Sequence, residues 1–329
     1  MIEVKHLTKR YGEHLALEDV SFTMEEGRVY GLLGPNGAGK STTMNIMTGY
    51  LAATEGTVTI DGYDIVEDAR DAKRLIGYLP EQPPLYTDMT AWEYLAYAAG
   101  IKGVPKKERK DEIGRVIALT GLESMADRVM RSLSKGYRQR VGLAQAILGH
   151  PHIVILDEPT VGLDPQQVIE VRSIIRDLGR DHTVILSSHI LSEVAEVCDY
   201  VYIISQGRLV AADKPEQLSR NLQQSQMLEI RVQGGRNAVE AALKTVPDLP
   251  EPEFLPDAEP GSCAFRLTLE GESDRRAEIS MALASQGLPV LSMQSKSLSL
   301  EEIFLALTED APEEAAPQVP TEGKEDADA

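Results

Sequence analysis

Short apolar runs predict the central strands of this 329-residue chain. Residues 28–33 (RVYGLL), 153–156 (IVIL) and 183–186 (TVIL) each predict one strand. The run at 153–156 is apolar at every position, which is typical of a parallel strand covered on both faces. Residues 201–210 (VYIISQGRLV) predict a hairpin that closes this part of the chain.

Two other patterns surround these strands. Within residues 1–77, the segments EVKHLTKRYG, ALEDVSFTME and TVTIDGYDI predict an antiparallel β region. Residues 83–131 have helical character, from TAWEYLAYAAG to ERKDEIGRVIALTGL, and predict a helical insertion. We therefore expect an α/β domain over residues 1–219, with an antiparallel β subdomain and a helical subdomain at about 83–131.

A second, smaller unit is predicted beyond Ser219, where the composition changes. Strand patterns alternate there with helix patterns, at 227–232, 237–245, 264–269, 275–285, 288–293 and 300–308. This alternation predicts a ferredoxin-like α+β domain over residues 220–309. Residues 310–329 are rich in Glu, Asp, Pro and Ala, and predict a disordered acidic tail.

The run GPNGAGKST follows the first of the three apolar strands directly. Its spacing of Gly, four residues and Gly-Lys-Ser builds a loop whose backbone N–H groups wrap the phosphates of a nucleotide. Lys40 adds a charge for the β- and γ-phosphates, Ser41 offers a hydroxyl to Mg²⁺, and the helix at 42–48 adds its positive dipole end. A Gly-rich turn ahead of a helix is the alternative interpretation. The predicted ligands are Gly34, Pro35, Asn36, Gly37, Ala38, Gly39, Lys40, Ser41 and Thr42.

Two carboxylates end the apolar strand at 153–156. Asp157 lies where such folds place an acid for the Mg²⁺ shell, usually through water. Glu158, one residue on, is placed to polarise a water for attack on the γ-phosphorus. A solvated turn is the alternative for paired acids taken alone, but their position after a phosphate loop favours catalysis.

The segment LSKGYRQR at 133–140 resembles the signature of ABC transporter ATP-binding subunits, which is usually Leu-Ser-Gly-Gly-Gln. Four further matches come in the order that this family has. They are Tyr11 for the aromatic that stacks on adenine, Gln82 for the glutamine loop, 162–164 for the loop that crosses the dimer, and His189 for the switch histidine. The resemblance covers residues 1–219, about two thirds of the chain. It implies a P-loop NTPase core, ATP and Mg²⁺ as cofactors, and ATP hydrolysis.

The resemblance also implies a role for each matched residue. Gln82 would give an oxygen to Mg²⁺ or water, and His189 would contact the γ-phosphate region and orient Glu158. Ser134, as the N-cap of a helix running to about residue 148, and Gly136 would contact the γ-phosphate held by a second copy, so that two ATP lie within a homodimer. The implied catalytic residues are Glu158, His189 and Gln82, and the implied metal ligands are Ser41, Gln82 and Asp157.

Each of these side chains has an ordinary alternative when taken singly. Tyr11 would be an exposed loop residue, Gln82 a surface polar residue and His189 a structural histidine. Two positions also depart from the usual signature. Lys135 replaces its first glycine, which would add a cation close to the phosphates, and Tyr137 replaces its glutamine, with an effect that the sequence leaves open.

Composition limits which partners and which cellular location we expect for this chain. A net charge of −19 argues against a nucleic-acid partner and against simple adhesion to anionic lipid. No stretch approaches 18 consecutive apolar residues, so we expect no membrane span, and the strand-like start at residues 1–5 predicts no secretory signal. Cys198 and Cys263 lack metal-ligand spacing and indicate a reduced, cytosolic protein.

The C-terminal unit, which ends in LEEIF, resembles the one that accompanies ATPase subunits of ABC-2 type exporters. This resemblance implies export, driven through a separate membrane permease that holds the chain on the inner face of the cell membrane. A soluble ABC ATPase in a non-transport process is the alternative, which the acidic charge and single ATPase domain disfavour. A non-catalytic regulator would be expected to lack Lys40, Glu158 or His189. The cargo stays open.

Overall fold

The computed structural model describes residues 1–222, 225–255, 261–270 and 274–296. The helix expected at 300–308 and the tail expected at 310–329 lie outside the described residues. From residue 1 to residue 222 the strands and α-helices are, in chain order, β1 (Ile2–Tyr11), β2 (His14–Met24), β3 (Val29–Leu33), α1 (Lys40–Met47), β4 (Glu55–Ile60), β5 (Tyr63–Asp64), α2 (Ala69–Arg74), β6 (Ile76–Leu79), α3 (Ala91–Ile101), α4 (Arg109–Leu119), α5 (Lys135–Ile147), β7 (Ile153–Leu156), α6 (Pro165–Leu178), β8 (Thr183–Ser188), α7 (Leu191–Ala195), β9 (Tyr200–Ser205), β10 (Arg208–Asp213) and α8 (Pro215–Leu222).

A six-stranded sheet forms the centre of this part of the chain, in the order β10-β9-β3-β8-β7-β6. Its strands are parallel except β10, which pairs with β9 as the predicted hairpin. In β7, Ile153 and Ile155 pack into one apolar cluster, whereas Val154 and Leu156 pack into another. Burial on both faces explains why this strand carries no polar position.

A four-stranded antiparallel sheet, in the order β2-β1-β4-β5, covers one face of the central sheet. Its apolar residues share a core with α1 and with the inward side chains of β3, β7, β8 and β9. The prediction of an N-terminal antiparallel β region is therefore confirmed.

Helices α3, α4 and α5 pack together beyond the other face of the central sheet. A capping box starts α3, in which Thr90 Oγ1 accepts from Glu93 N at 3.2 Å and Glu93 Oε2 accepts from Thr90 N at 2.9 Å. Lys102 Nζ donates to Ala146 O at 2.7 Å near the carboxyl end of α5, and burial lowers the pKa of Lys102 to about 8. Arg115 donates to Ile147 O at 3.1 Å. A cation at the C-cap of α3 and a cation of α4 thus satisfy carbonyls at the carboxyl end of α5.

The remaining described elements form a separate antiparallel sheet with two helices. In chain order they are β11 (Ser225–Gln233), α9 (Arg236–Leu243), β12 (Glu253–Phe254), β13 (Ser262–Glu270), α10 (Arg276–Ser285) and β14 (Val290–Lys296). The strand order is β12-β13-β11-β14, and Phe265 is fully buried in the core between sheet and helices. This βαββαβ order is the predicted ferredoxin-like topology, although strand β12 was not among the predicted strands.

Candidate functional site

The phosphate-loop residues lie at the carboxyl edge of the central sheet. Because β3, β8 and β7 are parallel neighbours, the loop after β3, Asp157 after β7 and His189 after β8 all emerge at this edge. Open α/β sheets bind ligands at this place. A cleft of about 380 Å³ opens there, lined by Tyr11, His14, Ala16, Asn36, Gly37, Gly39, Lys40, Ser41, Thr42, Glu81, Glu158, Val161 and His189.

Glycines give the phosphate loop its shape. Gly37 and Gly39 have φ of 82° and 110°, in the left-handed region that residues with side chains rarely adopt. Gly39 is the N-cap of α1, and no side chain caps this helix, so its first N–H groups point toward the cleft without a capping partner. At Gly34 a Cβ would collide with Ile204 O, so only glycine fits between the loop and β9. The loop is therefore a preformed anion cradle.

Lys40 lies buried at the base of this cradle, 5% exposed. Its Nζ donates to Gly34 O at 2.7 Å and Pro35 O at 3.1 Å, and lies 3.7 Å from Glu158 Oε1. Burial lowers the pKa of Lys40, and the nearby carboxylates Glu158 and Asp157 oppose that shift. The amine is thus held in place before any ligand arrives, and an anionic phosphate would offset its lost hydration.

Asp157 and Ser41 bring two oxygens together beside the cradle, with Ser41 Oγ 3.4 Å from Asp157 Oδ1. Oxygen ligands of this kind suit Mg²⁺, which keeps several waters and takes its other ligands from phosphates. Asp157 is buried and does not line the cleft itself. Among the described residues no group of three His, Cys, Asp or Glu side chains could hold a metal alone. Ser41 and Asp157 fit an ion that takes its remaining ligands from a nucleotide and water.

Glu158 is held from three sides. Its backbone N–H donates to Ser187 Oγ at 2.8 Å, His189 Nδ1 lies 3.0 Å from its Oε2, and Lys40 lies on the other side. Its φ of 46° is unusual for a residue with a side chain, and such a conformation costs on the order of 1–3 kcal/mol. The surrounding contacts therefore aim this buried carboxylate into the cleft.

The sequence reasoning missed Ser187, which connects the two acids. Its hydroxyl is fully buried, donates to Asp157 Oδ1 at 2.6 Å and accepts from Glu158 N. The signal was present, because Ser187 stands two residues before the histidine that the motif SSHIL identified. His14, Ala16, Glu81 and Val161 also line the cleft without having been predicted.

Not every predicted site residue lies in the cleft. Gln82 is exposed, and its neighbour Glu81 lines the cleft instead. Ser134 and Gly136 lie apart from the cleft, at the start of α5, where Ser134 Oγ accepts from Tyr137 N at 3.4 Å. Tyr11 lines the cleft half-exposed, with Lys9 Nζ 5.2 Å from the centre of its ring.

Similarity to known proteins identifies the family of this chain. The family model of the ABC transporter matches residues 17–161. YxlF of Bacillus subtilis (strain 168), an uncharacterised ABC transporter ATP-binding protein, is 34% identical over 93% of this chain and 98% of its own length. This chain belongs to the ABC transporter ATP-binding proteins.

Other members of the family are similar over comparable lengths. The bacitracin transport ATP-binding protein BcrA of Bacillus licheniformis is 31% identical, over 93% of this chain and 97% of its own length. A solved dimeric ATP-binding cassette, in a post-hydrolysis state with ADP and Pi, is 26% identical with a TM-score of 0.60. The alignment covers 65% of this chain and 99% of that one. The predicted fold class and ATPase activity are confirmed.

Among the described residues no helix is long and apolar enough to cross a bilayer.

Proposed function

We propose that this chain is the ATP-hydrolysing motor of an ABC-2 type exporter and drives a separate membrane permease. The observation that carries the proposal is the meeting of Lys40, Asp157, Glu158 and His189 at one sheet edge. Support for export comes from BcrA, which is named for bacitracin transport and which this chain matches along nearly its whole length.

ATP would lie in the 380 Å³ cleft with its phosphates on the loop from Gly34 to Thr42. The backbone N–H groups of the loop and Lys40 would hold the phosphates, and Tyr11 would stack on the adenine. A flat ring recognises a purine by its face, so this contact would add affinity and little discrimination between bases.

Mg²⁺ would be held by Ser41 and Asp157, and when bound it would neutralise charge on the phosphates. Glu158 would accept a proton from the attacking water, with His189 orienting its carboxylate at 3.0 Å. Burial excludes bulk water around Glu158, which strengthens these interactions. Gln82, as a further oxygen ligand, stays a prediction, since its side chain is exposed and does not line the cleft.

Two copies would share two ATP molecules. Each nucleotide would lie between Lys40 and Ser41 of one copy and Ser134 and Gly136 of the other. The location of Ser134 and Gly136 outside their own chain's cleft supports this arrangement. ATP would join the copies, and its hydrolysis would let them separate.

The domain assignment follows from this proposal. Residues 1–219 would form the nucleotide-binding domain, with the helical subdomain at 83–131 touching the permease. Residues 220–309 would form an accessory domain, and 310–329 an acidic tail. The protein would be cytoplasmic and bound to the inner face of the membrane through the permease alone.

Purification of the native complex from detergent-solubilised membranes tests the proposed function. A tagged copy should retain an integral membrane protein, and reconstitution of the two should give ATPase activity that depends on both. Recovery of the chain with ribosomes or DNA, and without any membrane protein, would support the soluble alternative and contradict export.

A further inference from the structure

Tyr137 occupies the place that glutamine usually has in the signature, and its ring has a definite partner. The centre of the ring lies 5.5 Å from the guanidinium carbon of Arg140, one helical turn further along α5. The ring is half-buried and packs against the apolar cluster that α3, α4 and α5 share with the central sheet. It therefore offers Arg140 a fixed aromatic face, which a flexible glutamine side chain could not supply.

Arg140 connects α5 to α6. Its side chain is 11% exposed and forms an ion pair with Glu170 on α6, which also accepts from Gln166 Nε2 at 3.4 Å. Tyr137 and Glu170 thus both hold the same guanidinium. Because a largely buried guanidinium is costly to leave unpaired, its ion pair with Glu170 links α5 to α6.

Two more contacts bring the starts of the same helices close together. Gly136 lies against the side chain of Gln167, so closely that a Cβ at Gly136 would collide with Gln167 Oε1. Lys135 Nζ occupies the space that a side chain at Gly162 would need. Gly162 begins the loop at 162–164, and the last residue of this loop, Asp164, caps α6. The signature and the loop at 162–164 are therefore in contact within one chain.

We propose that Tyr137 is a positioning residue, whose ring holds Arg140 against Glu170 and so joins the signature to the loop at 162–164 as one unit. The inference rests on the proposed shared site, in which both segments face the second copy. On this account the signature of this chain does not use a polar side chain at position 137 to touch nucleotide. The aromatic face is the functional part, and the phenolic hydroxyl is dispensable.

Substitution at position 137 tests this in the full chain. Tyr137→Phe keeps the ring and should retain the kcat and the half-saturating ATP concentration of the unmodified protein. Tyr137→Gln restores the usual family residue, yet it should raise the half-saturating ATP concentration for turnover about threefold to tenfold. Nucleotide affinity, measured with a fluorescent ATP analogue at a protein concentration that keeps the chain monomeric, should stay within about twofold for both variants.

A second substitution separates positioning from mere loss of folding. Glu170→Gln should raise the half-saturating ATP concentration in the same way, and Tyr137→Gln/Glu170→Gln should be no worse than the stronger single variant, because both act on Arg140.

Additive effects of the two substitutions would contradict the proposal that Tyr137 and Glu170 act through Arg140 as one unit. Equal losses in Tyr137→Phe and Tyr137→Gln would contradict it too, since the hydroxyl would then be the functional group. A Tyr137→Gln variant with the same half-saturating ATP concentration as the unmodified protein would also contradict the proposal. So would a Tyr137→Gln variant whose nucleotide affinity as a monomer falls together with its turnover.

Failure of the proposed function gives a different result. If the unmodified chain shows no ATP-dependent turnover, alone or with membrane partner, the shared-site account and the role of Tyr137 fall together. If the unmodified chain hydrolyses ATP normally and the substitutions at 137 and 170 have no effect, the proposed function stands and this inference is wrong.

Discussion

Glu158 is the residue whose surroundings are most specialised. Its backbone is in the left-handed region, its N–H is held by Ser187, and its carboxylate lies between Lys40 and His189. Such a conformation persists only where neighbouring contacts impose it, and here those contacts aim the carboxylate into the cleft, where the proposed function needs a base. The chemistry of the site is therefore decided by a few buried side chains.

Replacing the carboxylate by an amide tests the assignment of the base. Glu158→Gln keeps the shape of the side chain but cannot take a proton, so turnover should fall by at least about 100-fold while ATP binding persists. Phosphate release and binding of a fluorescent ATP analogue measure the two quantities. Glu67→Gln, an exposed substitution, is the control. Undiminished hydrolysis in Glu158→Gln would show that another group is the base.

Ser187 gives a second prediction at this scale. Ser187→Ala removes the donor to Asp157 and the acceptor for Glu158 N, and each lost buried hydrogen bond costs about 1–3 kcal/mol. We expect kcat to fall about tenfold or more, because Asp157 and Glu158 lose the hydroxyl that positions both of them. Ser188→Ala is the matched control, because the Ser188 hydroxyl accepts from Ile190 N instead. Equal kcat values for both variants would contradict the role given to Ser187.

Helix α5 connects the signature, which includes its first turn, to α3 and α4. Ser134 caps its first turn, and Lys102 and Arg115 satisfy the carbonyls at its other end. Because both ends are satisfied, the helix can transmit a contact at its N-terminus to α3 and α4 without fraying. This matters because the first turn of α5 is the part that would meet the second copy.

A bulky cation at the cap tests whether that turn meets a second nucleotide site. Ser134→Arg should abolish turnover, while nucleotide binding by the monomer survives, because Ser134 lies outside the cleft of its own chain. Ser134→Ala also loses the cap, at a cost of about 1 kcal/mol, but leaves the surface open and should retain part of the activity. Normal steady-state turnover in Ser134→Arg would argue against the shared site.

At the scale of the whole molecule, the sequence predicted more of the topology than of the site. The run IVIL, apolar at every position, indicated a strand buried on two faces, and Ile153–Leu156 is such a strand. Strand β6 (Ile76–Leu79) was not predicted, because its residues are few and form only a partly apolar pattern. The pairing of Arg140 with both Tyr137 and Glu170 could not be foreseen, since Glu170 lies 30 residues beyond Arg140 (170 − 140) on another helix. The boundaries at 219 and 309 stay predictions.

The pH dependence of stability is also a property of the whole fold. His182 is buried, with Nδ1 2.6 Å from Pro151 O, and burial lowers its pKa in the folded chain. The unfolded chain, with an ordinary pKa near 6.5, therefore takes up a proton first as the pH falls. The stability tied to neutral His182 is complete above about pH 6.5 and is lost below it.

Urea unfolding at pH 7.5 and pH 5.5 checks this. The loss of unfolding free energy between the two pH values should be smaller in His182→Gln, whose side chain does not titrate, than in the unmodified chain. His150→Gln, at an exposed histidine, serves for comparison. Identical losses in His182→Gln and the unmodified protein would show that His182 does not contribute.

The mass of Glu158→Gln in solution tests the central claim most directly. Light scattering after gel filtration should give a monomer near 36.0 kDa without nucleotide and about twice that mass with saturating ATP and Mg²⁺. Addition of Ser134→Arg to the same chain should return it to the monomer mass. A Glu158→Gln chain that binds ATP but stays at 36.0 kDa would contradict a nucleotide site completed by a second copy.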